Sequence, residues 1–371
     1  SGDAWCPLKE FPRYVIINQY TCDVVRLNKV SKFPEMVRMR TLPYLGCDPE
    51  FFFKKDGKVV GSEQIIPKEG IILREVGKVI IDGVQAEINP KHDTCRQRLA
   101  DRISQCLSVS KTLGYDLCFD PSVEVDLEYI QSLSNKAKVF GCTPSYNIYE
   151  EKNIDNDGST YPFRPAGGHI HIGHGGDDKM KKILKNHKIV VPMLDILVAN
   201  TMVLIDRHEG NVERRKLYGR AGEYRTPSHG LEYRTLSNFW LHSYTLMSFA
   251  FGMVRQALDI IYTSTETENG NFVKRIMDAV NQDDIVKAIN TNDFDLAMAN
   301  FIKIRPILEE IMYTTSEITM HKDNIPNFLH FVGRIREGGF NYWFKEVPRW
   351  YQGADGWENF MRIQVAKDMK K

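Results

Sequence analysis

The sequence predicts an α+β fold: an antiparallel sheet with helices on one face, followed by a helical C-terminal part. Three observations carry that expectation. Apolar runs in the first 90 residues are short and punctuated by Asp-Gly turns, as in hairpins. The stretch Gly167-Gly168-His169-Ile170-His171-Ile172-Gly173 alternates polar and apolar residues as a strand does. From residue 241 onward the apolar period becomes helical, over 241–262, 271–280, 283–289, 293–314 and 325–337.

Taken in order, Tyr14-Val15-Ile16-Ile17 and Val24-Val25 read as short leading strands. Phe51-Phe52-Phe53 runs into Lys55-Asp56-Gly57-Lys58, a tight hairpin turn. A second hairpin pairs Val79-Ile80-Ile81 with Val84 to Ile88, with Asp82-Gly83 assigned to its turn. Leu99, Ile103 and Leu107 then recur at helical spacing, predicting a helix over 94–112, and a shorter one covers 125–133. Residues 151–160 are a polar loop suited to closing over a site. A helix starts near Lys179, and Pro192 is expected to divide it. Residues 207–238 read as a loop followed by a strand. Met193 to Ile205 is very apolar but carries Asp195, Asn200 and Thr201, so it predicts a buried helix, not a membrane span. The polar stretch from Thr263 to Asn271 suggests a boundary between a catalytic domain, 1–263, and a helical part packed on it, 264–371.

The 371 residues are 42% hydrophobic and 26% charged, an ordinary globular composition. A net charge of +1 argues against a dedicated nucleic-acid coat. The lysines at 179, 181, 182, 185 and 188 read as a solvated face. Seven scattered cysteines without a C-x-x-C spacing, and no signal-peptide pattern, lead to the expectation of a reducing cytoplasm and no membrane.

The chemistry lies in pairs of polar groups at i and i+2 on strands. Asp48 and Glu50 flank Pro49 between apolar neighbours, where an unpaired carboxylate is costly, so a hard cation is the natural partner. Glu87 sits in Gln85-Ala86-Glu87-Ile88-Asn89 and reads equally as a ligand or an exposed strand residue. His169 and His171 share a face among glycines that permit close backbone approach. His174 falls outside that face and reads as surface. Arg214, Arg215, Arg220, Arg225 and Arg234 lie within 21 positions, interleaved with Gly and Tyr, and Glu232 and Arg234 flank Tyr233. Guanidinium groups match phosphate oxygens, so acids, imidazoles and arginines together form the parts of a phosphoryl-transfer site. Neither a Walker A motif nor a Rossmann fingerprint is present, so a nucleotide would sit on a sheet.

The order of these motifs resembles the glutamine synthetase and glutamate–cysteine ligase superfamily. Cys47-Asp48-Pro49-Glu50-Phe51-Phe52 is similar to its Pro-Glu-Pro-Glu-Phe-Phe strand, and Gly167-Gly168-His169-Ile170-His171 to its Gly-x-His-x-His strand. Arg220, Arg225 and Leu231-Glu232-Tyr233-Arg234 match its paired arginines and its Arg-Ile-Glu-x-Arg strand. The likeness is greatest to the phage carboxylate–amine ligase family of the second type and spans about residues 43–240. It implies a glutamine-synthetase-like sheet and an ADP-forming ligase that makes an amide through an acyl phosphate, using ATP and two or three Mg2+ ions. By the same likeness, Asp48, His169 and Glu232 would hold one ion, and Glu50 and Glu87 another. Arg220 and Arg225 would neutralise the transferring phosphoryl group, and His171 and Arg234 would contact phosphates. The departures are Asp48 in place of a Glu, no counterpart for a third carboxylate at the second ion, and no small N-terminal domain. Substrates would be a small or peptide-like carboxylate and an amine; their identity and the oligomeric state are not encoded in any motif. The location would be cytoplasmic, in the host if the chain is phage-encoded. A guanidino kinase on the same sheet, or an inactive binding protein, are the alternatives.

Overall fold

The computed structural model describes residues 5–7, 15–18, 24–27, 36–38, 43–135, 145–154, 161–264 and 271–314. The expected helix over 325–337 and most of the polar loop 151–160 lie outside them. The fold is α+β, with antiparallel strand pairing throughout the described sheets.

Two six-stranded sheets matter for function. In the first, the histidine strand Ile170–Gly173 lies between Tyr44–Cys47 and Gly230–Tyr233, and Glu223–Arg225 pairs with the far side of Gly230–Tyr233. In the second, Glu50–Lys55 pairs with Gln85–Pro90, which pairs with Gly77–Asp82. The chain passes from one sheet to the other through Asp48 and Pro49 alone. Ile170, Ile172, Leu45 and Leu231 bury the dry face of the first sheet, and Phe51, Phe53, Ala86 and Ile88 belong to the same core.

The two Asp-Gly dipeptides among the described residues, Asp56-Gly57 and Asp82-Gly83, make two different turns. At Asp56-Gly57 both residues have positive φ (50° and 77°), as a two-residue type I′ hairpin demands. In the second hairpin Gly83 (φ 65°) is the first turn residue and Val84 the second, the pattern of a type II′ turn. Asp82 therefore stays in the strand, opposite Gln85, and is not a turn residue as the dipeptide had suggested. A shift of one position moves a side chain to the opposite face of a strand.

The helices Arg96–Lys111 and Leu127–Ser132 lie close to their expected positions. The division falls at Asn186 and not at Pro192: the helix Asp178–Lys185 is capped by Asn186, and a new helix, His187–Leu194, carries Pro192 inside it and continues through a π-helical turn, Asp195–Ala199. A helix also occupies Gly210–Leu217, where a loop was expected, because its buried face is built from Asn211, Arg214, Arg215 and Leu217, and charged residues hide an apolar period. The long helix Tyr244–Ser264 and the helices Phe272–Ala279, Gln282–Asn290 and Phe294–Thr314 contribute Phe251, Ile276, Ile285 and Phe301 to the main core. Among the described residues no helix is long and apolar enough to cross a membrane.

Candidate active site

The crossing at Asp48-Pro49-Glu50 divides two neighbouring carboxylates between two sheets. Asp48 donates its N–H to the His169 carbonyl (3.4 Å), and Glu50 donates its N–H to the Gly167 carbonyl (2.9 Å). The same three residues thus run alongside Gly167 to His169. Gly168 must be a glycine here: a Cβ would lie 2.2 Å from the Ser237 carbonyl and 2.4 Å from Trp240 Nε1. A Cβ on Gly167 would lie 2.3 Å from Nε2 of His169. These glycines make room for neighbouring protein groups.

On the first sheet, His171 faces Glu232 across one strand pair and Gly46 across the other. Asp48 reaches both imidazoles: Oδ1 is 3.2 Å from His169 Nδ1, and Oδ2 is 3.2 Å from His171 Nε2. Glu232 Oε1 lies 3.8 Å from His169 Nδ1. Arg234 Nη1 donates to the same oxygen at 2.6 Å, and Arg225 Nη1 lies 3.4 Å away. Ligand atoms of Asp48, His171 and Glu232 all fall within 4.8 Å of one another. His169 approaches the same two carboxylates from the buried side, and its Nε2 has no hydrogen-bond partner. Burial, with Arg234 nearby, pushes the His169 imidazole down to about 4, so it is neutral and fit to act as a ligand. Burial disfavours charge on Asp48, but His169 and His171 outweigh it and hold the carboxyl far below its usual range. Burial likewise opposes charge on His171, and the Asp48 hydrogen bond, with the Asp48 and Glu232 charges, reverses that.

On the second sheet, Glu87 stands directly opposite Glu50. Asp82 completes a group whose ligand oxygens also lie within 4.8 Å of one another. Asp82 is the third carboxylate that the Asp-Gly dipeptide concealed. Burial, followed by the Asp82 charge, pushes Glu50 up to about 8. Burial and the charges of Asp48, Asp82 and Glu50 push Glu87 up to about 9. Asp82 is raised by burial and by Asp48. Three such acids cannot all ionise without a cation, and an all-oxygen donor set fits a hard divalent ion. The mixed set of Asp48, His171 and Glu232 also fits one, and His169 faces its two carboxylates through Nδ1.

Arg220 stands apart from these groups. Its guanidinium donates to the carbonyls of Arg215 (3.0 Å) and Lys216 (3.1 Å) and pairs with Glu150 at 3.4 Å. Glu223, fully buried, fixes the loop by accepting from the backbone N–H groups of Gly219 and Arg220. Arg214 is also structural: buried, it donates to the carbonyls of Arg234, Thr235 and Leu236.

Three further residues border the site without a sequence motif to announce them. Tyr218 Oη donates to Glu50 at 2.5 Å. His229 Nε2 lies 3.1 Å from His171 Nδ1. His174, expected on the surface, lines a cavity of about 620 Å³ together with His92, Asn89, His171 and His229. The cavity opens beside Asp48's partner His171, and its walls come from both sheets.

Residues 145–278 match the family described as phage phiEco32-like COOH.NH2 ligase-type 2. The match supports the phage carboxylate–amine ligase family that the motifs resemble. It includes His169, His171, Arg220, Arg225, Glu232 and Arg234. Asp48, Glu50, Asp82 and Glu87 lie before it, and strand pairing brings them to it. No curated protein matches the chain.

Proposed function

We propose that the chain is an ATP-dependent, ADP-forming carboxylate–amine ligase. The family match supports the ligase class. The ATP dependence rests on one observation: two cation-capable groups, Asp48–His171–Glu232 and Glu50–Asp82–Glu87, lie on either side of a two-residue crossing, with Arg225 and Arg234 against Glu232. Two such groups beside arginines suit the transfer of a phosphoryl group to a carboxylate.

In this reading a substrate carboxylate attacks the γ-phosphorus of ATP, ADP leaves, and an amine then displaces phosphate from the acyl phosphate to give an amide. Bound Mg2+ would supply charge neutralisation and orientation of the phosphates. Asp48, His169, His171 and Glu232 would hold one ion, and Glu50, Asp82 and Glu87 the other. Arg234 is buried and fixed on Glu232, so its charge is pre-set before any substrate arrives. Arg225, partly exposed and 3.4 Å from the same carboxylate, would turn its guanidinium toward a phosphate oxygen. Arg220 joins them only by exchanging the carbonyls of Arg215 and Lys216 for phosphate. The cavity beside His171 would take substrate.

The test is a coupled ADP-release screen over amino acids, polyamines and nucleotides, followed by mass measurement of the product. An amide with equimolar ADP and phosphate supports the proposal. A stable phosphoramidate would identify a guanidino kinase, and calorimetry without Mg2+-ATP binding would leave a non-enzymatic binding protein. Glu232→Ala should abolish turnover without unfolding the chain.

A further inference from the structure

Tyr218 links Glu50 of one cation-capable group to His169 and Arg234, which pack against the carboxylates of the other. It leaves the helix Gly210–Leu217 in extended backbone and is almost fully buried. Its hydroxyl donates to Glu50 Oε2, and the Gly167 N–H donates to that same oxygen at 2.7 Å. Two donors on one oxygen fix the carboxylate plane and leave Oε1 for Asp82, Glu87 and a cation. Its ring, meanwhile, lies against two residues that hold the carboxylates of the other group. The His169 ring lies edge-on at 5.6 Å, and the Arg234 guanidinium carbon is 5.5 Å from the ring centre. Arg214 lies on the ring at 5.0 Å while its own nitrogens bind the carbonyls that follow Glu232. Gly219, at φ 77°, gives the chain room to turn over that guanidinium, since a Cβ would sit 2.3 Å from it. Tyr218 is thus clamped on several sides.

We propose that Tyr218 is a positioning residue that couples the two cation sites, its hydroxyl aiming Glu50 and its ring backing His169 and Arg234. The proposal rests on the two-cation reading above. It requires no bond to form or break: an oriented carboxylate binds a hard ion more tightly than a free one because less conformational entropy is lost.

The hydroxyl and the ring make separable predictions, read by Mn2+ binding to the full chain, followed through the electron paramagnetic resonance signal of free Mn2+. The unaltered chain should bind two Mn2+. Tyr218→Phe should weaken one of them by roughly 10-fold, the usual effect of losing a supporting hydrogen bond, and leave the other unchanged. Tyr218→Leu, which also removes the ring, should weaken both. If the tyrosine acts through Glu50, then adding Tyr218→Phe to Glu50→Gln should weaken binding no further than Glu50→Gln alone. Equal affinities in Tyr218→Phe and the unaltered chain, or further loss in the double variant, would overturn the role of Tyr218 and leave the cation sites standing. An unaltered chain that binds no Mn2+ would overturn the two-cation reading and this inference with it.

Discussion

Asp82→Asn separates the effect of charge from that of shape in the second carboxylate group. The substitution keeps the size of the side chain and removes one negative charge from a set whose oxygens lie within 4.8 Å of one another. At an effective dielectric of about 20, two unit charges at that distance repel by roughly 3–4 kcal/mol. Near pH 9, where Glu50 (about 8) is ionised and Glu87 (about 9) half so, removing the Asp82 charge relieves part of that repulsion. In chelator and without divalent cation, Asp82→Asn should therefore be more stable than the parent, by roughly 2 kcal/mol and a few degrees in Tm. With Mg2+ the order should reverse. A cation present at 100 times its Kd stabilises by about 2.7 kcal/mol. Losing one anionic ligand lowers that affinity, so the variant gains less. Calorimetric melts of both proteins, with and without Mg2+, read all four values. A lower cation-free Tm for Asp82→Asn near pH 9 would refute the reasoning, because it would mean that Asp82 does not face Glu50 and Glu87 as a like charge.

Other outcomes follow from particular contacts. Asp195, buried in the π-helical turn, accepts from Tyr233 Oη (2.5 Å) and Thr235 Oγ1 (3.3 Å), with Tyr149 and the cation of Arg215 also facing it. Burial pushes its carboxyl from 3.8 to about 7. The folded chain then holds a proton that the unfolded chain has lost, so its stability falls as pH rises from about 4 through 7 and levels above that. Asp195→Asn should remove up to about 4 kcal/mol of that fall, read as the difference between the two proteins' urea midpoints across pH. Gly168→Ala should cost roughly 2 kcal/mol or more, since the new methyl meets the Ser237 carbonyl backbone; a melt within a degree of the parent would contradict the packing. Arg234→Met should lose ADP release and destabilise the fold by up to roughly 3–5 kcal/mol, because it takes the nearest cation from the buried Glu232 carboxylate and leaves it Arg225 at 3.4 Å, and Mg2+ should recover part of the loss.

The parts of the site that could be read from the sequence are those that repeat with the period of a strand. His169, His171, Glu232 and Arg234 sit in short alternating runs with apolar partners, and the sheet pairing gathers them as that pattern requires. The α+β class was legible for the same reason, because the period changes from two to helical along the chain. What escaped has specific causes. Asp82 was hidden because Asp-Gly suits the two central positions of a type I′ turn, while the chain uses only the glycine, in a type II′ turn. The helix Gly210–Leu217 escaped because three of its four buried positions are polar: Asn211, Arg214 on backbone carbonyls and Arg215 on the Asn292 side chain. Tyr218 and His229 follow no period at all, because each meets its partner across the fold and not along an element.

The two-residue crossing explains why neighbouring acids serve different groups. A strand continuing through Asp48 and Glu50 would point both carboxylates to one side, as their i, i+2 spacing suggests. Here the flanking strands enter different sheets, and Asp48 meets the imidazoles while Glu50 meets Glu87. Pro49 suits this position: it has no N–H to satisfy, and its carbonyl accepts from Ile88 at 2.9 Å, which ties the crossing to the second sheet. The separation of the two groups is therefore set by backbone on both sides, by Gly167 and His169 carbonyls on one and Ile88 on the other. Lengthening the crossing by a single inserted glycine should leave each group able to bind a cation but uncouple their spacing. Mn2+ binding would then survive while ADP release fell by orders of magnitude, since phosphoryl transfer depends on the ions' mutual placement more than on their affinity.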